Sequence, residues 1–405
     1  MEYKVVASAI LYPEKVETKS GYKILDTYKN LQWLLKHFYA DIRYNLMTRR
    51  REITFPEQYV FPDDVENSAL SRVNYLATIN DLPTKQLDNH LDTIASENPY
   101  HPIVECIKAN PWDGTERLDD FVATLEVKNP DLATKIIKTW MVSAIAAAHS
   151  INGFINQGVL VLQGPQGIGK THWVKALDPI GCSAVKEGCF LDPGQKDSIL
   201  QLASYWIVEL GELEAIFKRS EIGRLKSFIT MEFDYVRLPY AHRATRLARR
   251  TAYVATVNDA NFLSDDTGNR RWWTVEVVSI NYKHGLDMKQ IWSEAFDLWQ
   301  KGALTYLEKD IQSEVNDSNL EHEKIDPLKE KVLTWYDWTR PGRKWLSATA
   351  VLEEIGYRNP NRSDSTRMGA VLKEINGKEG RKSHGVKLHE VPVTPVFRNQ
   401  GNLVE

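Results

Sequence analysis

The sequence predicts an α/β P-loop core set between a mostly helical N-terminal region and a C-terminal winged-helix-like domain. Three observations predict it. An apolar run, a glycine-rich octet and a helical pattern stand end to end in "VLVLQGPQGIGKTHWVKAL". From Gly158 onward short apolar runs alternate with helical stretches, the texture of a nucleotide-binding sheet. Near the end, three short amphipathic stretches lead into a basic turn and an alternating strand, "EGRKSHGVKLHEVPV".

Before the core, residues 22 to 54 read as a helix with Leu31, Leu34, Leu35 and Phe38 at helical spacing, followed by a hairpin in "DIRYNLMTRRREITF". Residues 65 to 150 read as mostly helical, interrupted at "ENPYHP" and "NPWDG". The expected division is an α+β region over 1–95, a helical region packing on the core over 96–157, the core over 158–308, a linker over 309–325 whose polar, acidic stretch also reads as a helix end, and the winged-helix-like domain over 326–405. Across 405 residues, 42% hydrophobic and 26% charged composition is that of a globular chain. The formal charge of −3 gives no overall basic field, so attraction to nucleic acid must come from local patches. Cys106, Cys182 and Cys189 lack a CxxC spacing and point to a reducing cytoplasm rather than a disulfide framework. No apolar run approaches the roughly 20 residues of a membrane span, and the opening residues lack a basic leader, so a soluble, unexported chain is expected.

Gly164, Pro165, Gln166, Gly167, Ile168, Gly169, Lys170 and Thr171 fit G-x-x-x-x-G-K-[ST]. Such a loop wraps a polyphosphate in backbone N–H groups at a helix N-terminus. Lys170 is expected on the β- and γ-phosphates of ATP, and the Thr171 hydroxyl in the shell of Mg²⁺. Hydrolysis also needs an acid at the end of a neighbouring strand. "SYWIVELGELEAI" delivers Glu209 and Glu212, separated by Leu210 and Gly211. Glu209 is assigned to the metal and Glu212 to the attacking water, but the sequence leaves the two roles exchangeable, and either acid also suits a helix N-terminus. "RTAYVATVND" ends in Asn258, whose amide suits a γ-phosphate sensor as well as a strand-ending turn. In "SDDTGNRRWWTVEV", Arg270 and Arg271 are placed to reach a phosphate bound by a neighbouring subunit, which implies a ring. The other reading is a surface pair facing Asp265 or Asp266.

No acidic residue falls between Asp234 and Asp259, whereas "YVRLPYAHRATRLARR" holds Arg237, His242, Arg243, Arg246, Arg249 and Arg250. Two extended arms around a turn make this a β-hairpin suited to a phosphate backbone, or to a subunit contact. Arg224 and Lys226 are weaker candidates. In the C-terminal domain Arg358, Arg362, Arg367, Lys373, Lys378, Arg381, Lys382 and His384 cluster around the expected third helix and wing, where such domains contact duplex DNA or proteins.

In their order, "NPYHPIVECIKANPWDGTERLDDF", "GPQGIGKT", "WIVELGELEAI", "LKSFIT", "DYVRLPYAHR", "ATVND" and "FLSDDTGNRRWW" resemble the virulence-associated protein E family of phage and mobile-element P-loop ATPases. That family is similar to superfamily 3 helicases of the AAA+ class. The resemblance spans about residues 96 to 275 and implies a hexameric, DNA-translocating motor with the helical region as its collar. It departs at Ala241, where close relatives have glycine, and does not reach 326–405. Some relatives place a primase-polymerase domain ahead of the motor; the segment ahead of this one is too short for that, so priming is not expected. The resulting expectation is an ATP-dependent DNA helicase or translocase of a phage, prophage or satellite element. Two other classes stay open: an initiator that binds specific duplex DNA under ATP control, and a regulatory or defence ATPase.

Overall fold

The computed structural model describes residues 11–56, 64–181, 184–189, 196–211, 226–236, 245–260, 262–263, 269–322, 327–383 and 385–393. They fall into two compact units, one ending at His322 and the other beginning at Glu323.

In the first unit, a hairpin of β1 (Lys15–Thr18) and β2 (Gly21–Ile24) precedes α1 (Tyr28–His37), which Thr27 caps through its side chain. The expected hairpin follows as β3 (Asp41–Asn45) and β4 (Arg50–Thr54), with β5 (Pro99–Tyr100) added in parallel to β3. Helices α2 (Val65–Ile79) and α3 (Leu87–Ser96) bury Val73, Leu76, Leu91 and Ile94 in one apolar cluster with Leu31, Leu34 and Ile42. This region therefore has a core of its own.

Next come α4 (Pro102–Ala109), α5 (Leu118–Val122), β6 (Leu125–Val127) and the 20-residue α6 (Pro130–His149). Asn129 caps α6 and Pro130 occupies its first turn, where a missing N–H costs nothing. Region 96–157 is thus mostly helical, with two short strands: β5, which joins the N-terminal sheet, and β6, which pairs antiparallel with the sheet of the core.

That sheet has six strands in the order β6, β13 (Trp272–Ile280), β7 (Val159–Gln163), β12 (Ala252–Val257), β9 (Ile207–Leu210), β8 (Val185–Cys189). Apart from β6, neighbouring strands run parallel. β7 is buried at every position, and such uniform burial, in place of alternation, marks a strand covered on both faces. Tryptophans from several elements fix the layers. Trp140 donates to the Tyr253 carbonyl, Trp206 to that of Ala144 and Trp292 to that of Leu177, each at 2.8 Å. Each buried indole N–H in this trio thus finds an acceptor while the ring fills the core. Trp273 lies so close against Gly158 that a Cβ there would stand 2.1 Å from its ring. Between β7 and β9 lie α7 (Lys170–Ala176) and α8 (Lys196–Leu202). The expected basic hairpin is present as β10 (Phe233–Val236) paired antiparallel with β11 (Thr245–Ala248), and its tip lies outside the described residues.

After β13 come α9 (Met288–Gln300) and α10 (Lys309–Glu321). The linker expected over 309–325 is therefore corrected: most of it is helix belonging to the core. Ile311 and Val315 supply one apolar turn, and the buried Asn319 supplies the rest. Its amide nitrogen donates to the carbonyls of Trp272 at 2.9 Å and Asn269 at 3.2 Å, while its oxygen accepts from the Thr274 hydroxyl at 2.7 Å. A helix docked through a polar residue has too few apolar positions to announce itself by periodicity.

The second unit runs α11 (Pro327–Trp335), β14 (Arg343–Ser347), α12 (Ala348–Glu354), α13 (Arg362–Asn376), β15 (Arg381–Ser383) and β16 (Val386–Pro392). Its antiparallel sheet has the order β14, β16, β15. Leu328, Val332, Val351, Leu352, Met368 and Leu372 form its core. A capping box between Asn361 and Asp364 starts α13, and Gly377 at φ 64° ends it.

Candidate nucleotide and nucleic-acid sites

Parallel strands deliver their C-terminal ends to one edge of a sheet, and the loops leaving that edge form a cleft. Here Gln163 at the end of β7 stands beside Val257 at the end of β12, and Val254 and Ala255 stand beside Glu209 and Leu210 of β9. The glycine-rich loop springs from this edge. Gly164 is held tightly, its N–H donating to the Val257 carbonyl at 3.1 Å, and a Cβ on it would stand 2.3 Å from the Val277 oxygen. Gly169 has φ 99° and lies against the Tyr282 ring, a position no L side chain fits without strain.

Lys170 and Thr171 open α7, whose first-turn amides have no partner within the helix. The Lys170 ammonium is buried and donates to the carbonyls of Gly164 at 2.7 Å and Pro165 at 2.8 Å, and to Oδ1 of Asn258 at 2.9 Å. Glu209 is 1% exposed, and its carboxylate is satisfied by short-range donors. The hydroxyls of Thr171 and Thr256 each donate to Oε1 at 2.8 Å, and the Gly188 N–H donates to Oε2 at 3.1 Å. Together with Gln166, Gly167, His172 and Gly211, these residues line a cleft of about 440 Å³. The structure thus brings together the loop, Lys170, Thr171, Glu209 and Asn258. Gly188 joins them without any warning in the sequence, and the sole cue for Thr256 is a polar residue in an otherwise apolar strand. A hydroxyl and a carboxylate sharing a hydrogen bond at the edge of this cleft are hard oxygen donors, and they fit Mg²⁺. Glu212 lies outside the described residues.

Arg270 and Arg271 form a short 3₁₀ turn with Asn269 just before β13. Because Trp272 pairs with Val159 and Glu276 with Gln163, this turn sits at the opposite edge of the sheet from the loop, separated by roughly 13 Å of strand. Arg270 is exposed; Arg271 is half-buried, and its Nε has no hydrogen-bond partner among the described residues. Burial, aided by the neighbouring Arg270, pushes the Arg271 guanidinium below its usual range. Asn319, which sequence reasoning passed over inside the supposed linker, pins this turn.

On the hairpin, Arg246 is exposed and lies 3.4 Å over the Phe233 ring, opposite the exposed Tyr235. Arg237, His242 and Arg243 fall outside the described residues. Arg249 was expected on DNA, and the structure corrects this: it is 1% exposed and bonds Asp234 bidentately at 2.6 and 2.8 Å, with a third bond to the Phe228 carbonyl. A guanidinium so enclosed cannot meet a phosphate. Arg250 is mostly spent on the carbonyls of Ser150 at 2.7 Å and Ile151 at 2.8 Å, and Lys226 is buried; neither presents a free cationic face as expected. In the second unit Arg367 on α13 and Arg381 and Lys382 on β15 are exposed as expected, with Arg381 lying 4.3 Å over the Trp345 ring.

The model of the virulence-associated protein E-like domain matches residues 106–324, more than half of the chain. The chain belongs to that family. The match takes in α6, the glycine-rich loop, Glu209, Asn258, the 269–271 turn and α10, so the helix once read as linker lies within the family domain. Among solved structures, the virulence-associated protein E-like chain is similar to the apo C-terminal region of NrS-1, residues 305–718, with a TM-score of 0.45, 14% identity, and coverage of 90% of this chain and 99% of that one. An A-form apo structure of the same region gives a TM-score of 0.42 at 14% identity, with the same coverage. No curated protein matches the chain. Among the described residues no helix is long and apolar enough to cross a membrane.

Proposed function

We propose that this chain is an ATP-dependent DNA helicase or translocase acting in the replication of a phage, prophage or satellite element, working as a ring with ATP sites at subunit interfaces. The observation that carries this reading is the convergence of Lys170, Thr171, Glu209 and Asn258 on one cleft. In this reading the loop amides and Lys170 bind the phosphates of ATP. The ammonium exchanges its two loop carbonyls for phosphate oxygens, and Asn258, bonded to the same ammonium, stands beside the γ-phosphate. Thr171 and Glu209 hold Mg²⁺, which supplies charge neutralisation between the phosphates when bound. Arg270 or Arg271, facing away from the chain's own loop, serves the neighbouring subunit's nucleotide, and six subunits close the ring. Arg246 and the hairpin around it track single-stranded DNA. The second unit reads as a winged helix, with α13 and the β15–β16 wing as its DNA-facing elements.

The test is ATP hydrolysis by wild type and Lys170→Ala, with and without single-stranded DNA, on particles of known mass with nucleotide bound. DNA-stimulated hydrolysis in a ring-sized particle, lost in the variant, supports the motor; hydrolysis indifferent to DNA or confined to a monomer overturns it. The exposed Arg367, Arg381 and Lys382 favour a second reading, an initiator that binds specific duplex DNA. Sequence-selective duplex binding that survives Lys170→Ala would select it.

A further inference from the structure

The run Arg49-Arg50-Arg51, in the turn and second strand of the N-terminal hairpin, has no part in the site described above. Its turn is shaped by Asn45, whose side-chain oxygen accepts the N–H groups of Met47 at 2.9 Å and Thr48 at 3.1 Å. The turn carries Arg49 at φ 61°, a left-handed conformation uncommon for a residue other than glycine. One thing holding it is the DNA hairpin. Nη2 of Arg49 donates to the Ala248 carbonyl, the last residue of β11, at 2.8 Å, and Arg250 reaches back toward the Leu46 carbonyl at 3.4 Å. Nη1 of Arg49 is buried with no hydrogen-bond partner among the described residues. Burial pulls this guanidinium down to about 10, and Arg250 nearby pulls in the same direction.

These three arginines line a cleft of about 610 Å³ together with Tyr44, Asn67, Ser96 and two carboxylates, Glu66 and Asp92. Their commitments differ. Arg51 is bound to Asp88 at 2.5 Å and to Asp92 at 2.7 Å. Arg50 makes a loose contact of 3.6 Å with Glu66, both groups being well exposed, so little is lost in giving it up. The unpartnered Nη1 of Arg49 is closed off from solvent and adds its charge from behind the cleft wall. With Glu66 and Asp92 facing Arg50 and Arg51, the group an anion can meet directly is the exposed Arg50 guanidinium, with hydroxyl, amide and phenol groups beside it.

The geometry points to this cleft as a phosphodiester-binding site for one nucleotide of a DNA strand, held by Arg49 and Arg50 at the foot of the basic hairpin. The inference rests on the DNA-binding part of the reading above. A strand, rather than a free nucleotide, is favoured because Arg49 is bonded to β11 itself, the strand that presents Arg246.

The test is fluorescence anisotropy of a labelled oligo-dT with the full chain, titrated at several salt concentrations, using wild type, Arg50→Gln, Arg49→Lys and Arg246→Gln. Thermal unfolding and DNA-free ATP hydrolysis are measured on the same samples. Arg50→Gln, which touches no buried group, decides the matter even where Arg49→Lys loosens the hairpin foot. The expected result is about threefold weaker binding for Arg50→Gln, with the log–log salt slope reduced by about 0.7 for a lost contact on single-stranded DNA, and unchanged DNA-free hydrolysis. Wild-type affinity and slope in both cleft variants, alongside weakened Arg246→Gln, overturn the cleft and leave the hairpin reading intact. A wild type that binds no oligonucleotide overturns both. Calorimetric binding of dTMP that Arg50→Gln abolishes, with oligonucleotide binding unchanged, assigns the cleft to a free nucleotide and overturns the strand.

Discussion

The ammonium of Lys170 donates to the side-chain oxygen of Asn258 at 2.9 Å, joining the start of α7 to the end of β12 across 88 residues of sequence. The bond places the amide beside the group expected to meet the phosphates.

Replacing Asn258 by alanine removes the proposed sensor together with its bond from Lys170. ATP hydrolysis is expected to fall by about 100-fold, the scale of one positioned donor in a transition state, while nucleotide affinity moves far less. Steady-state hydrolysis beside equilibrium binding of a fluorescent nucleotide checks it; equal losses in both would reduce Asn258 to a binding contact.

Glu209 accepts from both Thr171 and Thr256. Glu209→Gln is expected to fold and to bind nucleotide yet to lose Mg²⁺-dependent hydrolysis, since an amide can accept the hydroxyls but is a poor metal ligand. Thr256→Val strips one donor from a buried carboxylate and is expected to lower stability by about 1–3 kcal/mol. Magnesium titrations and chemical denaturation separate the two effects.

Arg249 and Arg246 stand three residues apart and are expected to behave oppositely. Arg249→Gln leaves Asp234 buried without its partner, so a loss of about 3–5 kcal/mol in stability is predicted. Arg246→Gln is expected to leave the unfolding temperature nearly unchanged and to weaken single-stranded DNA binding. A stable Arg249→Gln with selectively impaired DNA binding would contradict the buried ion pair.

His101 is buried, and neither ring nitrogen has a hydrogen-bond partner among the described residues. Burial, with Arg250 and His149 nearby, drives it down to about 3. The unfolded chain takes up this proton near pH 6.5 and the folded chain only near pH 3, so folding stability from this group is full above pH 6.5 and is lost progressively as pH falls toward 3. His101→Gln should flatten the dependence of unfolding free energy on pH in that window, as measured by denaturant titrations from pH 7 to 4. An unchanged slope would show that His101 is solvated.

Much of the site was legible because its chemistry is local. A glycine loop between strand and helix needs its residues at fixed spacing, so Gly164 to Thr171 announced themselves, and the apolar strands ending in Glu209 and Asn258 could be read from composition. Thr256 could not be read in this way, since an isolated threonine in a strand says nothing of the carboxylate on the next strand. Arg249 misled for the complementary reason: a basic run with no acid inside it looked like a surface, whereas its partner, Asp234, stood at the far arm of the same hairpin. The helix at Lys309–Glu321 read as linker because its docking depends on one buried asparagine.

The sequence by itself determined the strand, loop and helix of the phosphate-binding motif, the existence of the basic hairpin and the three helices and closing hairpin of the C-terminal unit, because each depends on residues close in the chain; strand β14 of that unit was not among them. Only the tertiary structure decided which charges are spent internally and which face outward. That outcome depends on pairings across strands and on desolvation, and a cation's sequence neighbours carry no record of either.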